Sequence, residues 1–167
     1  MVIEGEGGHV SYAPRDENER NVLAALEAKF DHVSAERVVS GPGLEAIYWI
    51  KNNAKLAAPE IGAGALAGDA KCLRSVNLMF KSFATVVANA ALSFGAGSGI
   101  VIAGGIVPRL HVLLDQSGFY ERLEDHGRRS KFLTRLPIFL AIDKFAGLRG
   151  AALASCSSQL QSRIRRC

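Results

Sequence analysis

Cysteine is scarce in this chain of 167 residues, and what there is has no pattern. Cys72, Cys156 and Cys167 share no metal-ligand spacing, which argues against a structural zinc site. The odd number, with no basic, apolar, small-residue export pattern at the N-terminus, reads as reduced thiols in a cytoplasmic protein. No Gly-Lys-Ser/Thr phosphate loop occurs, and no serine nucleophile elbow, so P-loop and serine-hydrolase chemistry have nothing to stand on. Gly95-x-Gly97-x-Gly99 precedes the β-branched run at Ile100 instead of following it, so it is not a dinucleotide fingerprint. Repeats, low-complexity tracts and an independent linker are also missing.

Charge is absent from one long stretch, between Lys81 and Arg109. On length alone that stretch spans a bilayer. However, Gly95, Gly97, Gly99, Gly104 and Gly105 crowd its second half, and Ser82, Asn89, Ser93 and Ser98 add polarity. It reads as a buried helix ending near Phe94, a turn, and a strand over Ile100 to Ala103, with no membrane partner expected. The net charge of +4 does not indicate nucleic acid. The clearest basic cluster, Arg163, Arg165 and Arg166, has no aromatic interleaved and reads as a solvated helix face.

What is present is a foldable chain. Hydrophobic residues make up 49% and charged residues 22%, enough for a sizeable single core. Residues 9–13 read as a short strand. Asp16 looks like a helix N-cap with Glu19 completing a capping box, followed by an apolar face of Val22, Leu23, Leu26 and Phe30. Ser34 caps a turn carrying Glu36. Ser40-Gly41-Pro42-Gly43 reads as a loop, and Leu44, Ile47, Tyr48 and Ile50 as a helix. Residues 52–68 suggest a loop plus a short helix. Asp69 opens a long helix through Leu73, Val76, Phe80, Phe83 and Val87. Short helices are expected near 110–115 and 118–124, a strand over Pro137 to Ile142, and a last helix from Ala146 to Ile164. Alternating helices and buried strands predict an α/β domain.

The residues that carry chemistry are few. Glu6 and His9 flank two glycines, which allow side chains and backbone to crowd a small ligand. A sugar offers hydroxyls that donate and accept; carboxylates accept from them and an imidazole does either. Glu36 offers a second carboxylate. The same residues also read as a frayed terminus, a strand histidine and a solvated helix charge. Gly104-Gly105 after a β-branched run is a place for a nucleotide to approach the main chain, or simply a strand-to-helix turn. His111 sits among apolar residues and His126 in a charged turn, neither with the company of a ligand site.

Taken in order, Glu6-Gly7-Gly8-His9-Val10, His32-Val33-Ser34-Ala35-Glu36-Arg37-Val38, Ser40-Gly41-Pro42-Gly43-Leu44 and Ile102-Ala103-Gly104-Gly105-Ile106-Val107-Pro108-Arg109 resemble successive motifs of bacterial glucokinases. Ser117-Gly118-Phe119 and the Gly147-to-Gly150 turn continue the series, which spans nearly the whole chain. The resemblance implies the actin-like ATPase, ribonuclease H-like fold, and transfer of a phosphoryl group from ATP, with Mg, to the 6-hydroxyl of glucose. It implies that Glu6, His9 and Glu36 hold glucose hydroxyls and that Gly104 and Gly105 lie against the adenosine of ATP. Residues 1–148 would form the C-terminal, large domain of such an enzyme, lacking its N-terminal domain, and residues 149–167 a helix packing onto that domain.

The departures from the family are as informative. Its Asp-x-Gly-x-Thr phosphate loop, its Asn-Asp pair with the catalytic base, and its Gly-Thr-Gly-Leu-Gly loop are absent from these residues, so no catalytic residue is assigned. No metal ligand is assigned either, since the repressor-kinase branch's zinc-binding His and Cys cluster is missing. Gly-Gly-Asn of the long helix reads Val87-Ala88-Asn89, Lys-Gly-Arg reads His126-Gly127-Arg128, and Arg149 replaces an apolar residue. Two functions are carried forward. One is a glucokinase fragment inactive alone, whose partners are glucose, ATP and either a second copy or the missing half. The other is a noncatalytic sugar-binding or self-associating module; an unrelated α/β binding domain fits the collinear motifs poorly.

Overall fold

The computed structural model describes residues 5–143 and 145–156. The chain opens with a 3-10 turn, Gly7–His9, and an extended stretch joined to the body by one antiparallel bridge between Ser11 and Ser34. Tyr12 N donates to Val33 O at 2.9 Å and Ala35 N to Val10 O at 2.8 Å. The strand expected over residues 9–13 is reduced to this bridge, because its partner turns away at once into a second 3-10 turn, Ala35–Arg37.

Helix α1 (Glu17–Glu27) starts as its sequence signals. Asp16 Oδ1 accepts from Glu19 N at 3.0 Å, and Glu19 Oε2 accepts back from Asp16 N at 3.3 Å. Helix α2 (Gly41–Asn52) starts earlier than expected, within the presumed loop Ser40–Gly43. Ser40 Oγ accepts from Gly43 N at 3.1 Å, and Pro42 in the first turn lacks only an N–H that the helix would leave unpaired. Gly43 is needed for contact: a Cβ there would sit 2.2 Å from Val38 O. The Gly-Pro-Gly sequence that punctuates loops here begins a helix.

Helix α3 (Ala58–Leu66) lies inside the Ala- and Gly-rich stretch. Helix α4 (Ala70–Phe94) is the axis of the fold. Asp69 Oδ1 caps it by accepting from Lys71 N and Cys72 N at 2.9 and 2.8 Å, and Gly95 ends it in the left-handed region at φ +61°. Among the described residues α4 is the one helix long and apolar enough to cross a membrane, but the greater part of its apolar stretch is buried inside the protein, with α2, α3 and the later helix Phe119–Glu124 packed around it.

The sheet has two parallel strands, β1 (Ile100–Ile102) and β2 (Ile138–Leu140), with Val101 opposite Phe139. Both are shorter than the expected strands at 100–103 and 137–142. The crossover that parallel strands require runs through α5 (Val107–Leu110), a 3-10 turn at His111–Leu113, α6 (Phe119–Glu124), a 3-10 turn at Gly127–Arg129 and α7 (Ser130–Thr134). Alternation puts Ile102 in the core while Val101 and Phe139 stay 67% and 55% exposed on the other face. The result is the α/β arrangement expected, with a helical body and a small sheet at its margin. Helix α8 (Ala146–Cys156) buries none of its residues. The remainder of the expected final helix, with Leu160, Arg163, Arg165, Arg166 and Cys167, lies outside the described residues.

Candidate functional site

The first 3-10 turn brings His9 forward, with His9 N donating to Glu6 O at 2.9 Å. The Ser11–Ser34 bridge then fixes this turn beside the second one, which carries Glu36. Across the gap, His9 Nε2 lies 3.5 Å from Glu36 Oε2. The two turns are in contact: a Cβ on Gly8 would meet Glu36 Cβ at 3.5 Å. The His32 ring nitrogen Nε2 lies 3.2 Å from His9 O, a third tie between the same segments.

His9 and Glu36 open onto a concavity of about 720 Å³, whose wall also includes Lys29, His32, Ser34 and Arg37. The Arg37 guanidinium sits 3.9 Å over the Phe30 ring, which holds that wall in place. His9 and Glu36 side chains are 66% and 60% exposed, so they face solvent and are open to a ligand. A carboxylate and an imidazole side by side can accept from and donate to adjacent hydroxyls. Glu6 stands at the head of the His9 turn, is exposed, and is not part of the concavity's lining.

Gly104 and Gly105 follow β1, at the carboxyl end of the parallel strands. Nothing lies within 4 Å of where a Cβ would stand on either, so their backbone is open to a flat group. Among the described residues no group of three His, Cys, Asp or Glu side chains is placed to hold a metal ion. His111, exposed in its 3-10 turn, has Nδ1 2.9 Å from Pro108 O, a local contact.

Behind the His9 turn lies a polar cluster that the sequence did not announce. Glu19 is fully buried, and Arg122 Nη1 donates to both of its carboxylate oxygens at 2.8 Å. Arg122 Nη2 donates to Asp16 Oδ2 at 2.8 Å, and Arg15 N donates to Glu19 Oε2 at 2.6 Å. Ser82 Oγ of α4 donates to Glu19 Oε1 at 3.3 Å and pairs with the Tyr12 hydroxyl at 2.8 Å. Burial first, against the Ser82 hydrogen bond, pushes the Tyr12 hydroxyl well above its ordinary range. Burial raises the Asp16 carboxyl, but the Glu19 N–H and the Arg122 guanidinium outweigh it and hold it below 3.8. The cluster anchors Tyr12, three residues from His9, to the central helix. The capping box gave away Asp16 and Glu19; nothing local signals Arg122, more than a hundred residues later.

Comparison with known proteins adds a consistent set of relatives. A family model described as Glucokinase matches residues 1–158. A glucokinase of Aromatoleum aromaticum is 41% identical over 159 residues, covering 91% of this chain and 48% of the relative. One from Chromobacterium violaceum is 38% identical over 158 residues, covering 90% and 45%. Among solved structures, a glucokinase from an Antarctic psychrotroph superposes with a TM-score of 0.82 at 31% identity, covering 91% of this chain and 49% of that one. The glucokinase of Balamuthia mandrillaris, crystallised in complex with glucose, superposes at 0.72 with 21% identity over 84% and 43%, a likeness of fold. The chain spans about half the length of the curated relatives it matches.

Proposed function

The chain belongs to the glucokinase family, and from that premise we propose that it is the sugar-holding half of an ATP-dependent kinase for glucose. Its fold is that of the actin-like ATPases to which these relatives belong. The observation that carries the reading is the approach of His9 to Glu36, 27 positions apart in sequence, at 3.5 Å on the wall of one open cavity. Glu36 accepts from sugar hydroxyls, His9 donates or accepts, and Glu6 at the head of the same turn is the third hydroxyl-holding group. Gly104 and Gly105 lie against the adenosine. ATP with Mg, when bound, supplies the phosphoryl group that passes to the sugar 6-hydroxyl.

His9 and Glu36 fix the ring, so that the 6-hydroxyl is presented at one position and orientation is settled before reaction. Removal of that hydroxyl's proton needs a base, and the 167 residues contain neither the family's Asn-Asp pair nor its phosphate loops. Those parts are expected from the portion of the relatives' length that this chain does not match. The setting we propose is the cytoplasm, with no membrane or nucleic-acid partner.

A coupled assay for glucose 6-phosphate tests the reading. The isolated chain is expected to be inactive, since general-base help alone is worth about 10²–10⁴-fold. Adding a polypeptide equivalent to the unmatched half of the Aromatoleum relative is expected to restore turnover, and Glu36→Ala to abolish what is restored. ATP-dependent product at an ordinary enzymatic rate from the isolated chain would contradict it.

A further inference from the structure

We propose that the cleft bounded by Gly97, Arg128, Arg129, Lys131, Phe132 and Arg135 binds a small anion with adjacent phosphate groups, at a site separate from the sugar cavity and the Gly104-Gly105 turn. Four cations fall within positions 128–135 and converge on one concavity of about 370 Å³. Among the described residues, none of the four side chains has a carboxylate within ion-pair distance or a hydrogen-bond partner. By contrast Arg15, Arg122 and Arg149 are each paired with an aspartate or glutamate. Like charges gathered without counter-charge repel one another, and the fold itself gains nothing from the arrangement.

The cations stand on a fixed base. Arg129 N donates to His126 O at 3.0 Å, and His126 N donates to Ser130 Oγ at 3.2 Å. Leu133 and Leu136, from the same segment, are buried. Three guanidinium forks and one ammonium are suited to phosphate oxygens, the forks by paired donation and the lysine as a point charge. Four positive charges around so small a concavity match the three or four negative charges of a di- or triphosphate group better than a single phosphate.

The place in the fold separates this site from the proposed reaction. Gly97 precedes β1, and Leu136 precedes β2. The strands are parallel, so both enter the sheet at one end, while Gly104-Gly105 leaves it at the other. The cleft and the His9–Glu36 cavity share no lining residue.

Titration calorimetry of the whole 167-residue chain at fixed ionic strength, with pyrophosphate, ADP and inorganic phosphate as probes, tests the proposal. Pyrophosphate is expected to saturate one site, with inorganic phosphate weaker. Equal affinity for ADP would show that the phosphates alone are read, and tighter ADP binding that a nucleoside is read as well. Arg129→Gln with Arg135→Gln is expected to weaken pyrophosphate about tenfold per cation removed. Arg20→Gln with Lys71→Gln, which removes the same charge elsewhere, is expected to leave it unchanged. All four side chains are exposed, so both variants should keep the parent's circular dichroism. Glucose binding, which reports the sugar cavity, should survive both variants, so failure here is distinct from failure of the kinase reading. No saturable pyrophosphate binding, equal loss in the two double variants, or a short oligonucleotide that binds tightly and is not displaced by pyrophosphate would overturn it.

Discussion

Single residues decide two things in this protein, the His9–Glu36 pair and the buried charge cluster behind it. The cluster sets a clear expectation. Arg122 is the main counter-charge to Glu19, whose side chain is wholly inaccessible. Arg122→Met strands a buried carboxylate, and the loss of stability in urea unfolding at neutral pH should be about 3–5 kcal/mol. Replacing an exposed arginine such as Arg20 should change almost nothing. Asp16 gives the pH dependence. Its folded value lies below the 3.8 of an ordinary aspartate, so its contribution is whole above about 3.8 and is lost as pH falls through the lower folded value. The stability gap between the parent and Asp16→Asn, measured by urea unfolding, should therefore be widest near neutral pH and shrink as pH drops below about 4. A gap that widened in acid would reverse the sign. The Asp16–Glu19 capping box was legible because both ends lie within one helical turn. Arg122 was not, because tertiary packing alone brings it there. His9 and Glu36 were picked out by residue type and by family likeness; their 3.5 Å approach depends on the Ser11–Ser34 bridge and the contacts around it, which no local pattern specifies.

Elements were legible where a helix has a cap and a periodic face, and misread where two signals conflict. Helix α4 is the clear case: Asp69 caps it, apolar residues repeat along it, and Gly95 ends it. Ser40-Gly41-Pro42-Gly43 is the conflicting case. Gly and Pro mark turns, but Ser at an N-cap and Pro in the first turn mark a helix start, and the packing of Gly43 against Val38 decides for the helix. Gly43→Ala puts a methyl into the Val38 carbonyl, and α2 must shift to relieve it. A lowered thermal midpoint, equivalent to roughly 1–3 kcal/mol, is expected. Gly105→Ala, with open space around it, should leave the midpoint nearly unchanged. Helix α7, five residues long and without a side-chain cap, gave no such signal and went unanticipated. The run at Ile100 is β-branched and Pro137 to Ile142 reads as a strand, but three paired residues cannot announce which partner they choose or in which direction.

At the scale of the molecule, the sheet is the unfinished part. Parallel strands are normally covered on both faces. Here Val101 and Phe139 are bare on one face, and Ile142, Phe145, Leu148 and Leu153 are also exposed. For the isolated chain we expect a second copy to cover these residues, since apolar surface returns about 25 cal/mol per Å² when buried. Light scattering coupled to size exclusion should show a mass above one chain that falls toward one when Val101→Lys and Phe139→Lys are introduced. A clean monomer at high concentration would contradict it. The α/β class was readable from alternation of helix and strand patterns, while the incompleteness of the sheet shows only once β1 and β2 are seen to pair with each other alone among the described residues. We propose that this chain, which matches about half the length of its relatives, holds the sugar by itself. Titration calorimetry with glucose tests it most directly. Saturable binding is expected for the parent chain, weakened about tenfold or more by Glu36→Gln and by His9→Ala, each of which removes hydrogen bonds to a hydroxyl. No binding by a well-folded parent, or equal binding by the parent and both variants, would contradict it.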